Sequence, residues 1–358
     1  MNLDDWLPPF KMDRGKKQPQ LIAELNELNQ YHWQNCSPYR RVIAGMFGNL
    51  KNAITSLEEM PWLPASLFKT VEMSSVPSNE VAKVMASSGT TGMQTSKIML
   101  DAATASNQTR VLVSIVKEFL PERRPMLIID NDAFLKDRSK FNARAAAILG
   151  FSNFGAHRTY LLDEDLMPQW DVLKAFIERH RDQPVFIFGF TWLVWDRLVR
   201  EAKKAGISIE FPPFSVLIHG GGWKKLQQMA VSNEEFKYVL NEQFGIRHSY
   251  NYYGMIEQVG SIYMECSEGV FHAPSYADII IRSPETLEAL PFHSTGLIQT
   301  FSILPRSYPG HSLLTEDLGT ILGEDDCACG RKGKYFHVHG RMPHAELRGC
   351  SDVIALGG

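Results

Sequence analysis

The run Ser87-Ser88-Gly89-Thr90-Thr91-Gly92 gathers hydroxyl side chains and glycines in six residues. Glycine lets a main chain approach a ligand closely, and serine and threonine add donors, so such a loop can surround a polyphosphate. It is not a Walker A loop, which needs Gly, four residues, then Gly-Lys-Ser/Thr. An ordinary polar turn is the competing reading. Further along stand His219-Gly220-Gly221-Gly222-Trp223-Lys224, Asn251-Tyr252-Tyr253-Gly254-Met255-Ile256-Glu257 and Leu314-Thr315-Glu316-Asp317-Leu318-Gly319, then Gly340-Arg341. The Glu257 carboxylate is a hard oxygen donor, or else a surface acid at a helix start. An ionised Asp317 can accept hydrogen bonds, or it can sit in a turn. Cys350, two residues after Arg348, is a thiol that a nearby cation can help ionise, or a plain tail cysteine.

Elements must hold these groups in place. Leu21, Ile22, Leu25 and Leu28 recur at helical spacing, so residues 18–50 read as helices. Pro61, Pro64 and Pro77 break the chain before the hydroxyl–glycine loop, and a helix is predicted from Thr104 to Phe119. Short apolar runs at Met126–Asp130, Val185–Phe188 and Ser215–His219 read as buried strands. Helices are predicted between and after them at Ser139–Leu149, Trp170–Arg181, Trp192–Ala205 and Trp223–Ala230. This alternation predicts an α/β fold with a largely parallel sheet. After Tyr250 the runs Ala277–Arg282, Gly296–Phe301, Leu318–Leu322 and Lys334–His339 predict a β-rich subdomain, with Gly340-Arg341 as a hinge.

The chain has 358 residues, 44% of them hydrophobic, which is enough for a sizeable core. A net charge of -3 with scattered Lys and Arg gives no nucleic-acid footprint. The acidic start Met1-Asn2-Leu3-Asp4-Asp5-Trp6 is not a signal peptide, and the Val185–Trp195 run is too short for a membrane span. Five unevenly spaced cysteines make no disulfide framework, so the expected setting is cytoplasmic.

The four motifs, in this order, resemble the adenylate-forming enzymes, which include acyl- and aryl-CoA ligases. Pro61-Trp62-Leu63-Pro64, Leu67-Phe68-Lys69, Ser96–Asp101, the Gly-Gly-Gly-Trp-Lys-Lys run and the near-terminal Cys350 sharpen this. Over nearly its whole length the chain is similar to the acyl-protein synthetase (LuxE-like) family. The resemblance implies an acyl-CoA-synthetase-like N-terminal domain over residues 1–340, with its β-rich part at about 250–340. On that resemblance residues 341–358 would be a short tail carrying Cys350 in place of a lid domain, since eighteen residues are far below the ~50 of a domain.

It further implies ATP and Mg2+, with Ser87, Ser88, Gly89, Thr90, Thr91 and Gly92 on the phosphates. Gly220, Gly221, Gly222, Tyr253 and Gly254 would lie around the adenine. Asp317 and Arg341 would lie on the ribose or phosphates, and Glu257 on the metal. A carboxylic acid, fatty or aryl, would become acyl-AMP and pass to Cys350, then to a partner such as an acyl reductase. Two departures stand out: Lys97 is displaced from the usual Thr-Gly-x-Pro-Lys pattern, and Glu316 replaces a common glycine.

Two other readings remain. Cys327-Ala328-Cys329-Gly330-Arg331 resembles a segment of phenylacetate–CoA ligases, and a degenerate adenylation fold could serve as a scaffold subunit. Among Phe186, Phe188, Phe190, Trp192 and Trp195 most read as core, leaving Phe190, Thr191 and His219 as candidates to touch the acid. Cys327 and Cys329, near His337, His339 and His344, suggest zinc, but Cys-x-Cys misses the common Cys-x2–4-Cys spacing. Cys36 and Cys266 read as buried, inert thiols.

Overall fold

The computed structural model describes residues 2–50, 53–86, 95–136, 143–223 and 228–342. The loop Ser87–Gly92 and Cys350 therefore lie outside the described residues. The strands are β1 (Leu63–Pro64), β2 (Val81–Ala86), β3 (Lys97–Asp101), β4 (Arg124–Ile129), β5 (Gly155–Tyr160), β6 (Phe186–Phe190) and β7 (Val216–Gly220). They continue as β8 (His248–Tyr253), β9 (Tyr263–Glu265), β10 (Phe271–His272), β11 (Ala277–Arg282), β12 (Thr295–Ser302), β13 (Ser312–Glu324) and β14 (Lys334–Arg341). The chain forms two compact units, one of residues 1–114, 254–263 and 270–358, the other of 115–253 and 264–269.

The second unit is the parallel α/β layer that the sequence predicts. Its strands lie in the order β8-β7-β6-β4-β5, all parallel. β6 and β7 are buried at every position and β4 at all but its first, as unbroken apolar runs must be when helices cover both faces. The connections carry helices Ala143–Phe151, Trp170–Arg179 and Asn233–Phe244. After β6 a helix runs Thr191–Leu193, loosens into a π turn over Val194–Arg200, and ends as Glu201–Ala205 at Gly206, whose φ is +63°. Of the helix predicted at Trp223–Ala230, residues 224–227 lie outside the described residues, and residues 228 and 229 form part of a helical turn. A further helix of that connection is Asn233–Phe244. Ser232 caps it by accepting from the Glu235 N–H at 3.1 Å, and Glu234 and Glu235 favour its positive end.

The first unit is built on antiparallel pairing, in the order β11-β12-β13-β14-β10, with β1 parallel to β13. Helix Arg14–Asn35 is capped by Asp13, and its Leu21, Leu25 and Leu28 are fully buried. Each leucine contributes about 1.5–3 kcal/mol by leaving water. Pro38 at the start of helix Ser37–Phe47 forces the chain to begin anew after Cys36. β2 and β3 pair antiparallel with Ala86 opposite Lys97, and the hydroxyl–glycine run lies between them in sequence, outside the described residues. Lys97 is exposed on β3. Asp101 then starts helix Ala102–Lys117 by accepting from the Thr104 N–H at 2.7 Å. No helix among the described residues is long and apolar enough to cross a membrane.

Candidate active site

In the second unit the expected site residues come together at the carboxyl edge of the parallel strands. Register sets His219 of β7 between Gly189 of β6 and Asn251 of β8; one residue on, Gly220 stands between Phe190 and Tyr252. The strand order reverses at β4, which has β5 on one side and β6 on the other. Open α/β sheets bind ligands beyond the strand ends at such a reversal.

His219 is 1% exposed. Its Nδ1 lies 3.0 Å from Thr191 Oγ1, whose hydroxyl donates to the Gly220 carbonyl at 3.2 Å. The threonine thus fixes the ring's orientation. Burial, reinforced by the Lys237 charge, lowers the His219 pKa to about 3, so the imidazole is neutral at pH 7. Its Nε2 is buried without a hydrogen-bond partner among the described residues, which leaves one hydrogen-bonding position for a ligand. Phe236 packs 4.6 Å from the His219 ring, with Trp195 and Trp223 against Phe236 in turn. Phe190 is buried edge-on against Phe188, as a core residue would be.

The glycine run has two separate causes. A Cβ on Gly220 would sit 2.5 Å from the Tyr252 ring, so that position has no room. Gly221 and Gly222 have φ of +78° and +62°, a conformation other residues adopt only with strain. Tyr253, at the end of β8, is partly exposed, and Gly254 is exposed.

In the first unit Glu257 sits in a single turn, Ile256–Gln258, four residues beyond Tyr253 in the chain. Gln258 holds that turn, donating to the carbonyls of Gly310 at 2.8 Å and Thr300 at 3.3 Å. The Glu257 carboxyl is nearly buried, and burial raises its pKa. The Ser96 hydroxyl, its own backbone N–H and the Lys69 and Arg341 cations oppose that rise. Asp317 on β13 is directly opposite Arg341 on β14. The Asp317 N–H donates to Thr315 Oγ1 at 3.1 Å, and Arg341 Nη1 lies 3.9 Å from Glu316 Oε2. Glu257, Asp317 and Arg341 thus share one unit, with Arg341 acting on Glu257 and standing opposite Asp317 on the neighbouring strand. Gly340-Arg341 ends β14 as a paired strand, with φ +104° at Gly340.

The sequence reading gave no role to Lys69 or Ser96, nor to Asp130. Asp130 follows β4 immediately, is 1% exposed, and pairs with Arg144 at 3.0 Å. A polar Asp-Asn-Asp run straight after a buried parallel strand was the available signal.

A carboxylate that burial makes costly to ionise gains from a cation placed beside it, so Glu257 fits a Mg2+ ligand. The bare glycine backbone beyond β7 and the half-exposed Tyr253 fit a flat aromatic base.

The sequence model of the family described as acyl-protein synthetase, LuxE, matches residues 6–356. A long-chain-fatty-acid–luciferin-component ligase of Vibrio harveyi is 22% identical over 347 residues, covering 94% of this chain and 88% of that protein. The ligase of the same name from Aliivibrio fischeri is 20% identical over 310 residues, covering 83% and 78%. Among solved structures, an open conformation of 2-hydroxyisobutyryl-CoA ligase superposes with a TM-score of 0.68 at 15% identity, over 93% of this chain and 76% of that one. The fold is therefore that of the adenylate-forming ligases.

Proposed function

The chain belongs to the LuxE family of acyl-protein synthetases, and on that premise we propose that this ligase activates a long-chain fatty acid with ATP and carries the acyl group on Cys350. The family match over residues 6–356 is the observation that carries the reading.

In the proposed reaction a carboxylate oxygen of the acid bonds to the α-phosphorus of ATP and pyrophosphate leaves. The Cys350 thiolate then bonds to the acyl carbon and AMP leaves, giving a thioester that can pass to a partner such as an acyl reductase. Mg2+ would neutralise phosphate charge as the first bond breaks. The chain's own residues do the rest. Glu257 holds the cation, while Asp317 and Arg341 meet the ribose and phosphates. The glycine run Gly220–Gly222 and Tyr253 bound the base. His219, neutral and oriented by Thr191, offers Nε2 to the acid. The hydroxyl–glycine loop Ser87–Gly92 supplies donors to the phosphates.

Incubating the full chain with radiolabelled myristic acid and Mg·ATP, without coenzyme A, tests this. Covalent label released by neutral hydroxylamine and absent from Cys350→Ser is expected. Unchanged labelling of that variant, or label that needs coenzyme A, would refute the acyl-cysteine step.

A further inference from the structure

Three side chains far apart in sequence meet beside β10 in the first unit. His272 is the last residue of β10 and fully buried, its ring stacked 5.8 Å from Tyr335 and edge-on to Phe10 at 6.4 Å. Cys327 and Cys329 lie in the turn between β13 and β14, where the Gly330 N–H donates to the Cys327 carbonyl at 2.9 Å. Both carry thiols. The ligand atoms of His272, Cys327 and Cys329 all lie within 4.8 Å of one another.

The spacing has a specific size. With Zn–S of about 2.3 Å and Zn–N of about 2.0 Å, a tetrahedral site has an S···N edge of about 3.5 Å. Cys329 Sγ stands 3.4 Å from His272 Nε2. The Arg331 N–H points at Cys329 Sγ from 3.5 Å, as second-sphere amides do at metal thiolates.

We infer that His272, Cys327 and Cys329 bind a structural zinc ion. Two thiolates and one imidazole are a soft donor set that favours zinc over the hard cations. A Cys-x-Cys pair suffices because His272 comes from a separate stretch of chain. Sequence proximity suggested His337, His339 and His344 instead. His339 is engaged with Thr320 Oγ1 at 2.9 Å, and His344 lies outside the described residues. The ion would staple the β13–β14 turn to β10. That turn also receives the N-terminal segment, since the Lys332 N–H donates to the Phe10 carbonyl at 3.0 Å and Arg331 covers the Phe10 ring at 5.7 Å.

The full chain, purified without chelator, is assayed for zinc by elemental analysis and then exchanged with cobalt(II). About one zinc per chain and a thiolate-to-cobalt charge-transfer band with tetrahedral d–d bands are expected. His272→Cys keeps a soft donor at that position and should retain metal, whereas His272→Ala and Cys329→Ser should weaken binding by tenfold or more. The wild-type cobalt spectrum decides the matter even where a variant fails to fold. Zinc-free protein that shows no cobalt–thiolate band, or a Cys327–Cys329 disulfide in the protein as isolated, would overturn the inference.

Discussion

Single residues here are set up at a cost to the fold, and Glu257 is the clearest case. Burial raises its carboxyl pKa above the unfolded value, against the pull of Ser96, its own N–H, Lys69 and Arg341. A raised carboxyl supports the fold fully only below the unfolded pKa of about 4.3, and that support is lost as pH rises through the folded value. At pH 7 the ionised side chain therefore works against folding. Glu257→Gln keeps the shape and removes the charge. The variant should melt at a higher temperature than the parent at pH 7, with the gap closing near pH 4. The same variant should lose about 100-fold or more in ATP–pyrophosphate exchange with fatty acids, because a charge-stabilising group at the reacting phosphates is gone. A less stable variant at pH 7, or one with undiminished exchange, would show that Glu257 is a structural acid.

Elements are joined by a buried charge cluster that the sequence hides. Lys17 comes from helix Arg14–Asn35, Asp278 from β11 and Lys334 from β14. Lys17 Nζ lies 3.3 Å and Lys334 Nζ 3.2 Å from the Asp278 carboxylate, and all three are buried. Burial alone would raise the Asp278 pKa, but the two ammonium groups outweigh it and hold it below the usual carboxylate range. Asp278→Asn strands two buried cations and should cost about 3–5 kcal/mol, read as a lower urea midpoint at neutral pH. A change below about 1 kcal/mol would mean that the cations find water or Glu324 instead. Arg14-Gly15-Lys16-Lys17 reads as a solvated helix start, and nothing local marks Lys17 as its one buried charge. β4, β6 and β7 were legible because strands covered on both faces are apolar throughout. Gly155–Tyr160, a polar edge strand, was not legible, although it pairs with β4. The site divides in the same way. His219 and Gly220 end an apolar run and stand out, whereas Lys69 and Ser96 reach Glu257 only through tertiary folding. Ser232-Asn233-Glu234-Glu235 did carry a helix-start signal, passed over in favour of the tryptophan-led stretch before it.

At the scale of the whole molecule, buried neutral histidines should govern its response to acid, His32, His219 and His311 foremost. His32 and His219 are held at about 3 by burial, and burial together with His32 drives His311 well below the ordinary range. His32 is fixed by Ser75 at 2.7 Å and the Pro305 carbonyl at 3.1 Å, and it stacks on His311 at 4.9 Å. His311 in turn meets Asn29 Oδ1 at 2.7 Å. A histidine whose folded pKa is depressed supports the fold above its unfolded value of about 6.5, and that support is lost as pH falls toward the folded value. Each such ring removes about 1.4 kcal/mol per pH unit below 6.5, so three remove about 4. A typical total of 5–15 kcal/mol cannot withstand that slope for long. The urea midpoint should hold near pH 7 and fall steeply from pH 6 to 5, before most carboxylates titrate. His32 and His311 lie in the first unit and His219 in the second, so probes of both units should lose stability as pH falls. His32→Gln, which cannot be protonated, should reduce the slope for the first unit. A midpoint that stays flat from pH 7 to 5 would mean that these rings admit water and protons without unfolding.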